Sequence, residues 1–150
     1  MGYTTCYSGV LHFNKEPSKA LITAINDFAN MRHGYSDCPG IWCDWVIGKE
    51  LKEYGECNYN AVCPYNQLPS VEKKFEAVSD ELVLGWDGVE KFYKGAEWLQ
   101  YIIDNIIEPN FPEYKLNGQL SWQGEEDEDT GTISVTDNVV SVQDNGNRRR

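Results

Sequence analysis

The densest chemistry in the chain is the run Glu125-Glu126-Asp127-Glu128-Asp129, followed by Thr130-Gly131. Consecutive carboxylates invite a calcium or magnesium ion, but the EF-hand register is missing. Gly131 stands out of step with the acids, and no carboxylate occupies the closing position. The expectation is a solvated turn, with Glu126, Asp127, Glu128 and Asp129 forming an acidic surface. A second candidate is Trp86-Asp87-Gly88-Val89-Glu90, which reads as a strand running into a helix. Asp87 and Glu90 match a capping box, and that use competes with an anion for the same backbone N–H groups. Glu90 and Glu97 could act as acid and base, yet they stand seven apart on one helix with no identified partner.

The two histidines, His12 and His33, have no accompanying Ser or Cys motif, so nucleophilic catalysis has no local signature. His33 reads as a cationic partner for a helix C-terminus. The five cysteines are Cys6, Cys38, Cys43, Cys57 and Cys63, an odd number that argues against a disulfide framework. Four and five residues separate the pairs Cys38–Cys43 and Cys57–Cys63, looser than zinc pairs usually are. Reduced thiols are favoured over a metal site, with Cys43 as a core thiol, and no metal or cofactor is expected.

These residues need elements to position them. Tyr3 to Phe13 is rich in Tyr, Thr and Val and predicts a first strand. Leu21, Ala24, Ile25, Phe28 and Met31 recur at helical spacing, with Pro17 in the first turn and Gly34 as a stop. Ile41 to Ile47 predicts a strand with Trp42, Asp44 and Val46 on one face. Residues 48–80 show no sustained period and read as a variable insertion, with a short helix around Val71–Val78. A third strand starts at Glu81, and Phe92, Ala96, Leu99, Ile102, Ile103 and Ile106 stripe a second helix ended by Pro109.

Strict alternation then marks strands at Tyr114–Gly124 and Gly131–Asp137, with a short one at Val139–Gln143 after an Asp137-Asn138 turn. The expected class is α+β, a two-layer antiparallel sheet with two helices on one face, compatible with a ferredoxin-like core plus a C-terminal hairpin. One domain is expected over 1–143, with 144–150 as a frayed tail. The other sheet face should be polar, with Trp42 projecting from it as an anchor, or else an apolar edge covered by the 48–80 excursion.

Charge limits the partners. The chain has 150 residues, 24 acidic against 13 basic side chains, and a net charge of −11. Setting aside Arg148, Arg149 and Arg150, the rest carries −14, and the acid excess grows along the chain. Such a surface repels phosphate backbones and anionic lipid, so neither nucleic acid nor membrane is an expected partner. The opening Met-Gly-Tyr-Thr-Thr-Cys has no basic or apolar leader pattern, so a cytoplasmic location is expected.

Several motifs occur together: Met1-Gly2-Tyr3-Thr4-Thr5, Gly40-Ile41-Trp42-Cys43-Asp44-Trp45, and Trp86 to Tyr93 with Glu97-Trp98-Leu99. Leu116-Asn117-Gly118 leads to Trp122-Gln123-Gly124-Glu125, with Asp129, Gly131 and Asp137-Asn138 beyond. This set resembles a family of small uncharacterised proteins of phages, prophages and bacterial chromosomes. The resemblance implies no catalytic residues. It implies a small accessory protein, in the host cytoplasm if phage-encoded, that inhibits or modulates a bacterial protein, for instance in counter-defence of an anti-CRISPR-like kind. A partner with a basic surface would suit the charge. A nucleotide- or small-molecule-binding protein is the alternative, and an enzyme with a carboxylate or metal site is the third. The binding candidates are Trp42, Asp44, Trp86, Asp87, Glu90, Gln119, Gln123 and Glu125.

Overall fold

Antiparallel pairing organises the computed structural model of the chain, which describes residues 4–33, 38–40, 42–53, 62–64, 75–88 and 92–145. The first strand comes in two pieces, β1 (Thr5–Ser8) and β2 (Leu11–Phe13). Both pair with one later strand in a single register, Ser8 opposite Ser121 and Leu11 opposite Gly118. The break is conformational: Gly9 has φ +89°, and a Cβ there would lie 2.6 Å from the Gln119 carbonyl oxygen.

Helix α1 (Lys19–Ala29) follows, then β3 (Trp45–Glu53), β4 (Val62–Pro64) and β5 (Phe75–Trp86). Helix α2 (Gly95–Ile102) leads to β6 (Leu116–Gly124), β7 (Thr130–Thr136) and β8 (Val139–Asp144). The sheet runs β4-β3-β5-β2-β6-β7-β8, with β1 also on β6 and every pairing antiparallel. β5 therefore lies between the two strands joined by α1, and β6 flanks the first strand on its other side. This is the split β-α-β arrangement of a ferredoxin-like core, with β7–β8 as the added hairpin, so the expected α+β class is the observed one.

One face carries the main core. Leu11, Ile47 and Leu84 stand side by side on it, each fully buried, as do Trp45 and Trp86 one pair further along. The Trp45 indole N–H donates to the Gly95 carbonyl at 2.8 Å and ties α2 to this face. From α1, the Asn26 amide donates to the Ile47 carbonyl (3.0 Å) and accepts from its N–H (2.8 Å), occupying the β3 edge just past the last β4 pair. The opposite face divides in two. Val10, Val46, Val62 and Val83 are buried, and a Cβ on Gly85 would collide with Val62. Towards β6 the same face is polar, with Ser8, Gln119, Ser121 and Gln123 exposed. A uniformly polar face is thus corrected, and Val62, from within the 48–80 stretch, supplies part of the apolar cover.

Several boundaries move. β3 starts at Trp45, not Ile41, and continues to Glu53; β5 starts at Phe75, not Glu81. Much of the expected insertion is therefore strand, and residues 75–78 of the expected helix are extended, while 71–74 lie outside the described residues. A register shift between Lys49 and Leu51 resets the side-chain alternation, and residues 78–81 are exposed, which together erase any hydrophobic period. Ser18, not Pro17, opens α1, its hydroxyl accepting from the Leu21 N–H at 3.2 Å, and Met31 lies past the helix end, 55% exposed. Beyond α2 a π turn (Ile103–Ile107) and a last turn (Glu108–Asn110) continue the helix, so Pro109 sits inside it. Pro109 has no N–H to give, and the π turn just ahead of it moves the buried stripe from Ile106 to Ile107. Asp144 and Asn145, expected in the frayed tail, are instead paired: Asp144 with Gly131, and the Asn145 N–H donating to the Thr130 carbonyl at 2.9 Å; residues 146–150 lie outside the described residues.

The Asp137-Asn138 turn holds more than its hairpin. Both residues have positive φ, as a two-residue hairpin turn of the I′ kind requires. Asn138 is buried; its side chain accepts from the Leu116 N–H (2.6 Å) and donates to the Tyr114 carbonyl (3.0 Å) and to Glu108 (2.7 Å). The hydrogen bond from Asn138 is the main reason the Glu108 carboxyl titrates below its usual range, with Lys115 adding to it. Asn138→Ala should cost about 2–4 kcal/mol, since it strands the Leu116 N–H and forces a Cβ-bearing residue to hold φ 71° without its bonds. Asn138→Gly relieves only the backbone part, so in thermal denaturation it should fall between wild type and Asn138→Ala.

Candidate functional site

The Trp45–Trp86 pair is the last rung of the β3–β5 ladder, and the residues just beyond it are Asp44 and Asp87. The Asp87 N–H donates to the Asp44 carbonyl at 3.1 Å, which holds the two backbones together past the sheet. Asp44 is only 8% exposed. Burial first, then the charge of Asp87 and hydrogen bonding to it, push the Asp44 carboxyl up to about 7. Two carboxyls this close resist being charged together. Asp87 does not cap α2, which begins at Gly95, after Lys94 in the left-handed region (φ 60°); residues 89–91, with which the expected capping box would form, lie outside the described residues, Glu90 among them.

Cys43, next to Asp44, is fully buried as expected. Burial pushes its thiol up to about 12, against a lowering hydrogen bond from Trp45, and the neighbouring Asp44 and Asp87 charges raise it further. A thiol held protonated in this way is a packing group, not a nucleophile. Among the described residues, no group of three or more His, Cys, Asp or Glu side chains is arranged to hold a metal. Cys57, and the side chain of Cys63, lie outside them.

The tryptophan candidates separate. Trp42 is 52% exposed, beside the carboxyl pair and ahead of β3 rather than on the polar sheet face. Trp86 is 1% exposed and belongs to the core, packing against Tyr7, which corrects its place as a binding candidate. Trp45 and Trp98 are also in the core. His33 sits at the end of α1, where a ring nitrogen hydrogen-bonds the Phe28 carbonyl at 2.9 Å.

In the β6–β7 turn, Glu125, Glu126, Asp127 and Glu128 are exposed. Asp129 is 1% exposed and accepts from the Trp122 indole N–H at 3.2 Å, so it is a structural acid and not part of the surface. Glu125 accepts from the Thr4 N–H, and the Gln123 amide donates to the Gly124 and Glu126 carbonyls (3.1 and 2.9 Å). Gln123 thus braces the turn, while Gln119 stays exposed on the polar face.

Strand register brings these features to one end of the sheet. Asp44 and Asp87 lie beyond the row that crosses Trp86 and Leu120, and the acidic turn extends beyond β6 in the same direction. Three strand spacings, ~14 Å, separate β3 from β6 at that end. Tyr93, 49% exposed just ahead of α2, belongs to the same end. Unforeseen features lie elsewhere. His12 Nδ1 and Glu81 Oε2 lie 2.9 Å apart in a hydrogen bond across strands, and a shallow cavity of about 230 Å³ is lined by Phe13, Lys15, Glu16, Pro17, Glu81 and Leu82. None of the expected site residues lines that cavity. The chain matches no family model, no curated protein and no solved structure.

The carboxyl pair makes stability fall with pH. Unfolded Asp44 loses its proton near pH ~4, whereas the folded carboxyl holds it until about 7. Between those values the unfolded chain gives up a proton that the folded one keeps, so stability declines as pH rises and levels off above. Asp44→Asn should flatten that decline and raise stability at pH 8 by about 1–2 kcal/mol, roughly 3–6 °C in Tm. Melting curves from pH 4 to 8 on both proteins read this directly.

Proposed function

We propose that the chain is a small accessory protein, of the phage or mobile-element kind, that acts by binding a bacterial protein with a basic surface. The observation that carries this reading is the shared sheet end: four exposed acids in the β6–β7 turn, with exposed Trp42 and Tyr93 at the same end. Arginine and lysine side chains gain from both kinds of group, through charge-assisted hydrogen bonds to carboxylates and through contact with aromatic faces. Exposed indole and phenol rings are the side chains that dominate protein-binding hot spots, and the acids around them suit the rim of such a site. Inhibition or modulation of a host system follows from occupying the partner's basic surface, with electrostatic steering to speed encounter. The alternative of a nucleotide- or small-molecule-binding protein loses one of its candidate residues, since Trp86 is in the core.

The test compares capture from bacterial lysate by wild type, by Glu126→Lys/Glu128→Lys and by Trp42→Ala, each first checked for native circular dichroism. A partner retained at low salt should be lost by roughly tenfold or more in the charge-reversed protein and in ~0.5 M salt. Trp42→Ala should weaken capture at both salt levels. Equal capture by wild type and the charge-reversed protein overturns the reading.

A further inference from the structure

The middle of the sheet contains an opening. β2 and β5 pair at a single rung, Leu11 with Leu84, and each then continues along its other neighbour. Two hydrogen bonds set the phase of the flanking ladders: Asn14 N–H to the Lys115 carbonyl (3.0 Å) beside β2, and Asp87 N–H to the Asp44 carbonyl (3.1 Å) beside β5. Both phases turn the N–H and C=O groups of Phe13 and Leu82 towards each other. These two residues nevertheless form no rung, and the cavity of about 230 Å³ opens beside them. Phe13, Pro17 and Leu82 give it a buried or half-buried apolar floor, and the exposed Lys15, Glu16 and Glu81 form its rim. The rim charges are of both signs and do not cancel. Among the described residues neither Lys15 nor Glu16 forms an ion pair. The Lys15 ammonium stands 5.0 Å over the Tyr114 ring, which holds it without supplying a counter-charge. Glu81 is oriented through Oε2, which hydrogen-bonds His12 Nδ1 at 2.9 Å, while Oε1 makes no hydrogen bond among the described residues.

We propose that this opening binds a free apolar α-amino acid, with its side chain on Phe13, Pro17 and Leu82, its ammonium at Glu81 and Glu16, and its carboxylate at Lys15. Size sets the first limit, since about 230 Å³ lies below the ~300–1,000 Å³ of sites for drug-sized ligands. Charge sets the second. An amine alone or a carboxylate alone would cover the rim charge of the other sign without pairing it, and that desolvation opposes binding. A peptide end offers one charge next to an amide, whereas the free amino acid offers both charges and an apolar group within one small molecule. The strand gap supplies the remaining contacts, because the backbone N–H and C=O groups of Phe13 and Leu82 complement a carboxylate and an ammonium. None of these residues belongs to the acidic end, so this site and the proposed protein-binding role can each fail alone.

Backbone amide shifts of the full chain, followed by NMR during titration with L-leucine, test this. Saturable changes should centre on Phe13, Lys15, Glu81 and Leu82, with half-saturation at roughly 1 mM, as for a small ligand on an open site. Isoamylamine lacks the carboxylate of leucine and isocaproate lacks its ammonium, and each should bind roughly tenfold or more weakly. Glycine, without the apolar side chain, should weaken to a similar extent. Glu81→Gln keeps an acceptor for His12 but removes the charge, so it should weaken leucine and isoamylamine but not isocaproate. Lys15→Gln should weaken leucine and isocaproate but not isoamylamine. Both side chains are exposed, so both variants should keep wild-type circular dichroism. The absence of saturable shifts up to ~20 mM leucine overturns the proposal. Binding of glycine or of either analogue as tightly as leucine also overturns it, as does leucine affinity that neither variant changes.

Discussion

The position at which α2 meets the sheet depends on one buried hydrogen bond, from the Trp45 indole to the Gly95 carbonyl. Around it Tyr7, Trp45, Trp86 and Phe92 meet edge to face or at a tilt, with centroid separations of 5.0 to 6.1 Å. Backbone can come this close to the rings only because residue 95 has no side chain: a Cβ there would strike the Tyr7 hydroxyl. Holding α2 at Gly95 has a consequence eight residues upstream. The helix does not reach back to Asp87, so Asp87 does not cap α2 and instead faces Asp44 across the strands. The packing of one indole therefore decides both where the second helix starts and what the neighbouring acids do.

How far the sequence reveals this varies from element to element. β6 to β8 are legible because Leu116, Leu120 and Trp122 alternate strictly with polar residues, and because Asp137-Asn138 is a turn pair with few other uses. The split β-α-β order is legible from the succession of elements alone. The β3–β5 extension is not, since the shift at Lys49–Leu51 breaks the period and residues 78–81 are exposed. The expected helix start at Asp87 is a sound local inference overridden by tertiary packing, which starts α2 at Gly95, as local patterns often are. The Asp44–Asp87 pair depends on the register of two strands some forty residues apart, which no local pattern encodes. Asp129 is hidden in a different way: five acids in a row look alike, and only the facing Trp122 indole distinguishes the fifth.

Charge and shape are distributed in the same uneven manner. On the inner face, side chains from β3, β5, the first strand, β6 and β7 join one continuous core with both helices. On the outer face a cluster of valines covers the β3–β5 side, and the β6–β8 side stays polar. The sheet is thus two-sided at one flank and one-sided at the other. An antiparallel sheet tolerates that difference because each of its strands needs only one buried face to fix its register.

A sequence whose levels agree this well makes its exceptions informative. Asp44 is a carboxyl placed in a nearly dry position beside another carboxyl, an arrangement that costs stability at neutral pH. Trp42, two residues earlier, leaves half of a large apolar ring in water. The β6–β7 turn keeps four acids exposed while spending a fifth on an indole. If each were ordinary surface, nothing would gather them, yet strand register sets them at the same end of the sheet. Hydrophobic burial and strand pairing account for the rest of the fold, but they are worked against at this end. An exposed ring and crowded acids would both gain from a partner that supplies cations and covers the ring, and that gain is what the proposed binding role draws on.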